Sequence, residues 1–296
     1  MKMTLAPIPF FWPKDTVLAF YEEAALWPVE RIVIGETICS KRREMRTEDW
    51  KDLALRLSKS GKDVALSSLA LIESESEYNS IKSLALDGVG LEANDLGAAE
   101  IFHQQQHLFS AGHFLNIYNI ECLKLLHQDG LRRWTLPVEL GKKELEQFSS
   151  AINEHKLDIQ TELFAHGYLP LALSARCFTA RTLDKPKDRC EKICLDYPQG
   201  IAVDSQEGQR LFTVNGIQTL SGKLVDLVDK IAELKQLGLD SVRLSPSCFD
   251  MTDIIDSYQR AIDGEHVESV CDNYCNGYWH GREGMATELS ELAALN

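Results

Sequence analysis

The stretch Arg31–Ser68, RIVIGETICSKRREMRTEDWKDLALRLSKSGKDVALSS, holds one complete unit of the architecture. Arg31–Ile34 is a short β-branched run that stops at Gly35. Thr47–Ser60 follows with an amphipathic pattern, Thr47 as helix cap and Asp49 in the first turn, where a carboxylate meets unpaired N–H groups. Lys62 and Asp63 lead into a second apolar run, Val64–Ser68. Strand, helix and strand in this order predict two parallel strands joined by a helical crossover.

The unit recurs along the chain. Further strands are predicted at Thr4–Pro9, Val89–Glu92, His107–Ser110, Arg132–Leu136, Leu157–Ala165 and Ser241–Leu244. Helices are predicted at Asp15–Leu26, Ser74–Leu86, Leu96–His103, Ile120–Gln128, Lys142–Glu154, Lys223–Leu237 and Met251–Ile262. Eight strands in this rhythm predict an α/β fold, a TIM-like (β/α)8 barrel, whose usual size is about 250 residues. An open doubly wound sheet is the alternative that periodicity does not separate. Gly167–Gly222 breaks the rhythm and reads as an insertion after the seventh strand, with a hairpin near Gly200–Val214. The whole chain, 1–296, reads as one barrel domain.

A chain of 296 residues with 44% hydrophobic and 26% charged residues can bury its core without covalent staples, so its eight cysteines are free for chemistry. It has no apolar run long enough to span a bilayer. Pro7, Pro9 and Pro13 interrupt the N-terminal apolar stretch, which predicts no signal peptide and a cytoplasmic location. In that compartment clustered cysteines read as metal ligands or redox groups before disulfides. The net charge of −14 argues against a general nucleic-acid surface.

The strongest chemical signal is Cys177-x12-Cys190-x3-Cys194 within the insertion. Cys190 and Cys194 fall at i, i+4, which one helical turn would place on one face. A [4Fe–4S] cluster takes four thiolates. Cys39, just past the second strand, is the candidate for the fourth, because strand C-terminal ends share one face of a parallel barrel. Cys39–Arg46 carries four basic residues against one acidic, and Arg176–Lys192 six against three. Positive charge of this kind lowers thiolate pKa, offsets a thiolate-ligated cluster and attracts anionic substrates. Structural zinc is the competing reading, although its usual C-x2–4-C pairs are met only by Cys190 and Cys194. Inert packing cysteines are a third reading. The C-x3-C-x2-C spacing of radical S-adenosylmethionine enzymes is absent, since Tyr197 stands where its third cysteine would be.

These residues resemble the U32 peptidase-type family. Glu162-x-Phe164-x-His166-Gly167, followed by Ser174-Ala175-Arg176-Cys177 and Cys190-x3-Cys194, is similar to the family signature. Ala175 replaces the usual Gly, and Pro170 stands where many members carry another Cys. Gly35–Arg43, Glu92–Gly97, Asn215–Thr219, Val242–Pro246 and Cys275–Trp279 resemble the UbiV branch, and the Cys39 segment favours that branch over its sister subunits. The resemblance implies a [4Fe–4S] protein that pairs with a UbiU-like subunit and hydroxylates ubiquinone precursors without O2, with prephenate as oxygen donor. A lipid-carrier protein presenting the quinone precursor is a further candidate partner. The extra C-terminal domain of longer relatives is expected to be missing. No Gly-x-Ser-x-Gly or His-Glu-x-x-His string supports protease chemistry.

Candidate substrate residues are Arg243, suited to a carboxylate or to a salt bridge at the barrel mouth, and His113, a proton carrier or a structural histidine. Glu36, Glu92 and Asp95 lie at strand ends, Asp95 as a helix cap. Asn215 and Gln218 read as ligand-orienting or as loop residues. Cys122 falls on the apolar side of a predicted helix and reads as core, Cys271 and Cys275 as packing residues or a redox pair, and Cys248 has no assignment.

Overall fold

In the computed structural model, which describes residues 1–287, Arg31–Ile34 and Asp63–Ser67 are adjacent parallel strands, with Ile32 opposite Val64. They are β2 and β3. The other barrel strands are β1 (Lys2–Leu5), β4 (Gly90–Ala93), β5 (Phe109–Ala111), β6 (Leu131–Thr135), β7 (Gln160–Leu173) and β11 (Ser241–Leu244). They pair in parallel in sequence order, and β11 closes the ring between β7 and β1. This is the closed (β/α)8 barrel, not the open sheet. The last nine residues of the predicted domain lie outside the described residues. No helix among the described residues is long and apolar enough to cross a membrane.

Helices α1 (Lys14–Ala24), α2 (Thr47–Lys59), α3 (Glu75–Lys82), α4 (Leu96–Gln104), α5 (Ile120–Gln128) and α6 (Lys142–Glu154) link successive strands. Their caps follow the chemistry of the sequence. Asp95 Oδ1 accepts from Gly97 N–H at 2.6 Å, and Asp49 Oδ2 accepts from Arg46 N–H at 2.8 Å. Arg46, not Thr47, is the cap residue of α2.

Alternate strand residues divide the protein into two interiors. Met3, Ile32, Val64, Leu91, Phe109, Trp134, Leu163 and Val242 belong to one continuous apolar core that packs the strands against the helices. Their neighbours, Thr4, Arg31, Ser67, Glu92, Ser110, Arg133, Glu162 and Arg243, are buried inside the barrel. Barrel lumens are more often filled by branched aliphatic side chains. Here Arg243 Nη1 and Nη2 donate to Glu92 at 2.7 and 2.9 Å, and Nη1 also donates to Glu162 at 2.9 Å. Ser67 donates to Glu92, while Thr135 and Ser241 donate to Glu162. Arg31 donates to Ser110 at 2.9 Å and Arg133 to Ser241 at 3.3 Å, across the lumen.

The insertion starts inside β7, which does not end at Ala165 as predicted but runs on to Leu173. It continues through the short helix α7 (Phe178–Thr182), the predicted hairpin β8 (Ile201–Asp204) and β9 (Arg210–Asn215), and β10 (Gln218–Asp226). β10 returns antiparallel to β7. The predicted helix Lys223–Leu237 is therefore corrected: Lys223–Asp226 belongs to β10, and the helix, α8, is only Ile231–Gln236. Tertiary pairing with β7 overrides the helical spacing of Leu224, Val228, Ile231 and Leu234. Helix α9 (Thr252–Asp263) follows β11, and a short strand β12 (Tyr274–Cys275) joins the far edge of β10.

Arg243 is the guanidinium shared by two buried carboxylates. Arg243→Met leaves Glu92 and Glu162 without it and should lower stability by roughly 3–5 kcal/mol, read from the urea midpoint. Burial raises the Glu162 carboxyl, but Arg243 and Arg133 outweigh it and hold the group at about 2, below its ordinary 4.5. Its stabilisation is present above the ordinary value and lost as pH falls towards the depressed one. Glu162→Gln should accordingly flatten the acid limb of the stability profile.

Candidate functional site

Cys39 is placed by the turn that follows β2. Gly35 has φ +132° and approaches β3 so closely that a Cβ would stand 2.8 Å from the Ser67 carbonyl oxygen. Glu36 Oε1 then accepts from the Ile38 and Cys39 N–H groups at 2.9 and 3.0 Å and closes the loop. The other three cysteines come from the insertion. Ser174 N–H and Phe178 N–H donate to the Ile217 and Gly216 carbonyls, both at 2.8 Å, and dock the start of α7 on the β9–β10 turn. Cys177 caps α7, its sulfur accepting from Ala180 N–H at 3.4 Å. Cys190 and Cys194 do not share one helical turn, contrary to the i, i+4 expectation. Cys190 ends one 3-10 turn and Cys194 lies in another, because Glu191 and Lys192 between them take positive φ of 51° and 55°.

All four sulfur-bearing side chains nevertheless line one cavity, together with Lys41, Arg42 and Lys192. Each is a free thiol. Burial raises the Cys39 and Cys194 thiols, neighbouring Cys177 adds to this, and Arg42 opposes it. Arg42 is 4% exposed and links the two loops. Its Nη1 donates to the Pro9 carbonyl at 3.1 Å, Nη2 to Asn215 Oδ1, and its guanidinium lies 5.6 Å from the Phe11 ring centroid. A Cβ on Gly216 would come within 2.7 Å of Arg42 Nη2, so the turn needs glycine there.

A second cavity occupies the barrel mouth, lined by Glu92, His113, Phe164, Gln218 and Arg243 among others. Arg243 takes the salt-bridge role, held by two carboxylates within the lumen. Neither ring nitrogen of His113 has a hydrogen-bond partner. Burial, then Arg243, lower its pKa to about 3, with Glu162 opposing them. The backbone-bonded structural role weighed for His113 is not what the structure shows. The two cavities share loops: Ile38 lines the mouth and Cys39 the cysteine cavity. They also share an acceptor, since the Pro9 carbonyl takes hydrogen bonds from Gln218 Nε2 at 2.7 Å and from Arg42.

The model of peptidase family U32 matches residues 18–279. The chain belongs to peptidase family U32. Similar solved structures include Streptococcus suis SuiB bound to S-adenosylmethionine, with 8% identity over 55% of this chain and 50% of that one at a TM-score of 0.36. They also include an uncharacterized B. cereus protein, with 11% identity, 90% and 65% coverage and a TM-score of 0.46. Yersinia pestis DHPS matches with 12% identity, 88% and 92% coverage and a TM-score of 0.44. The chain thus spans about half of SuiB and two thirds of the B. cereus protein. Matches this distant carry no functional argument.

Within this U32 chain, Cys122 is corrected from core to surface, since its side of α5 faces solvent. Cys275 is buried, and its thiol donates to the Leu224 carbonyl at 3.3 Å. Cys248 donates to the Asp250 carbonyl at 2.8 Å. Sequence reasoning counted Arg42 only as one charge of a basic run. Nothing in the run KRR distinguishes the arginine that turns inward.

His113 should remain neutral down to well below the range where an ordinary histidine titrates. Its ring proton resonances should not move between about pH 8 and pH 5, the range in which an ordinary imidazole gains its proton.

Proposed function

We propose that this U32 chain is the iron–sulfur subunit of an O2-independent hydroxylase in anaerobic ubiquinone biosynthesis. It works with a UbiU-like partner, with prephenate as oxygen donor. The observation that carries the reading is the single cavity lined by Cys39, Cys177, Cys190 and Cys194, from loops far apart in sequence. The sequence spacing favours a cluster over zinc, because only Cys190 and Cys194 meet the C-x2–4-C pairing usual for structural zinc, and a [4Fe–4S] cluster takes four thiolates without requiring such pairs.

Cys39, Cys177, Cys190 and Cys194 would hold the cluster, which supplies one-electron transfer when bound. Arg42, Lys41 and Lys192 place positive charge on the cavity wall and offset the thiolates. Arg43 and Arg46 extend that charge along the adjoining groove, which suits an anionic oxygen donor. In the barrel mouth, neutral His113 offers a substrate one hydrogen-bond donor and one acceptor beside the apolar wall that includes Phe164. Arg243 is neutralised by Glu92 and Glu162, so a substrate carboxylate is not its required partner.

Anaerobically isolated protein should contain about four iron and four sulfide per chain. Ala at position 39, 177, 190 or 194 should each abolish iron binding and anaerobic quinone synthesis, while Cys122→Ala retains both. A colourless chain carrying zinc in the cysteine cavity would instead favour a zinc-stabilised scaffold.

A further inference from the structure

A second set of metal-capable side chains lies where β7, β10 and the segment before β12 meet. His166 and Asp226 are opposite one another in the β7–β10 pairing, and β12 holds Cys271 beside them through its own pairing with β10. One ligand atom from each of the three lies within 4.8 Å of the other two. His166 and Asp226 are 0% and 2% exposed.

The unexplained atom is His166 Nδ1, which is fully buried and makes no hydrogen bond. It stands 3.9 Å from Asp226 Oδ1, too far for one. Two nitrogen or oxygen ligands on one tetrahedral ion sit about 3.3 Å apart, so a contraction of about half an ångström would close the pair on a metal. The surroundings orient the donors. Nε2 faces Ser247 Oγ at 3.1 Å, and donating its proton there leaves the Nδ1 lone pair free. The Tyr258 hydroxyl donates to Asp226 Oδ1 at 2.7 Å, and Ser269 donates to Oδ2. Ser269 Oγ also accepts from Cys271 N–H at 3.1 Å, which keeps the thiol beside the carboxylate.

We propose that His166, Asp226 and Cys271 bind one divalent cation of the zinc class, which ties the segment before β12 to the barrel wall. Mixed nitrogen, oxygen and sulfur donors suit zinc, whereas magnesium and calcium take oxygen. Binding forms a metal–sulfur bond and releases the Cys271 thiol proton to solvent. Three protein ligands leave a fourth position for water. The site does not depend on iron in the cysteine cavity.

The test is zinc and iron content of the full chain, isolated anaerobically from zinc-supplemented cells, with Co2+ as spectroscopic probe of zinc-free protein. Wild type and Cys190→Ala should each hold about one zinc per chain. Cys271→Ala should lose at least tenfold of it with iron unchanged, and should lose the thiolate-to-cobalt charge-transfer band that Cys122→Ala keeps. Cys271 lies in a loop, so its variant reports even where Asp226→Asn fails to fold. Zinc that follows Cys190 instead of Cys271, or wild-type protein that takes up neither metal, overturns the assignment.

Discussion

The barrel depends on one constraint: a guanidinium and two carboxylates, all out of reach of solvent, must satisfy one another. Arg243 meets Glu92 and Glu162 inside the lumen, and the hydroxyls of Ser67, Thr135 and Ser241 take up remaining carboxylate positions. Buried charges without such partners would cost several kcal/mol each. The three residues come from β11, β4 and β7, so the network can form only when the ring is closed. The apolar layer between strands and helices drives collapse, and the charged lumen selects the closure that brings Arg243 to both carboxylates.

That scaffold sets the spacing of the two cavities. Loops leaving β2 and β7 stand above the same end of the barrel, and Arg42 fastens them together. Its contacts reach Pro9 near the first strand, Asn215 in the insertion and the wall of the cysteine cavity. The Pro9 carbonyl, shared with Gln218, is the point where the barrel mouth and the cysteine cavity meet. Two hydrogen bonds to that one carbonyl separate Arg42 on the cysteine side from Gln218 on the barrel side.

Much of this was legible from residues. The alternation of β-branched runs with capped amphipathic segments gave a parallel sheet with helical crossovers, and the count of eight such units suggested the barrel over the open sheet that periodicity leaves equally possible. Clustering of Cys177, Cys190 and Cys194 among basic residues, with Cys39 at a strand end, identified the side chains that share a cavity. What was missed has physical causes. Lys223–Asp226 carries helical spacing, but a strand partner outweighs it. The i, i+4 offset of Cys190 and Cys194 is broken by two left-handed residues, Glu191 and Lys192, which spacing does not reveal. The lumen charges did leave a trace: Arg31, Glu92 and Arg243 are the single ionisable residues of their short strands, whereas Arg133 follows Arg132 and Glu162 shares β7 with His166. Cys122 illustrates the opposite failure, a small residue whose helix face is decided by one turn of phase.

The length of β7 has a mechanical consequence. One ribbon carries Glu162 in the lumen, Phe164 in the mouth and then the base of the cysteine-bearing appendage, and β10 pairs with it on the way back. Cross-strand bonding along that ribbon denies the appendage a swivel. The four cysteines of the cavity are each only partly buried, so their cavity meets solvent without any movement of that ribbon.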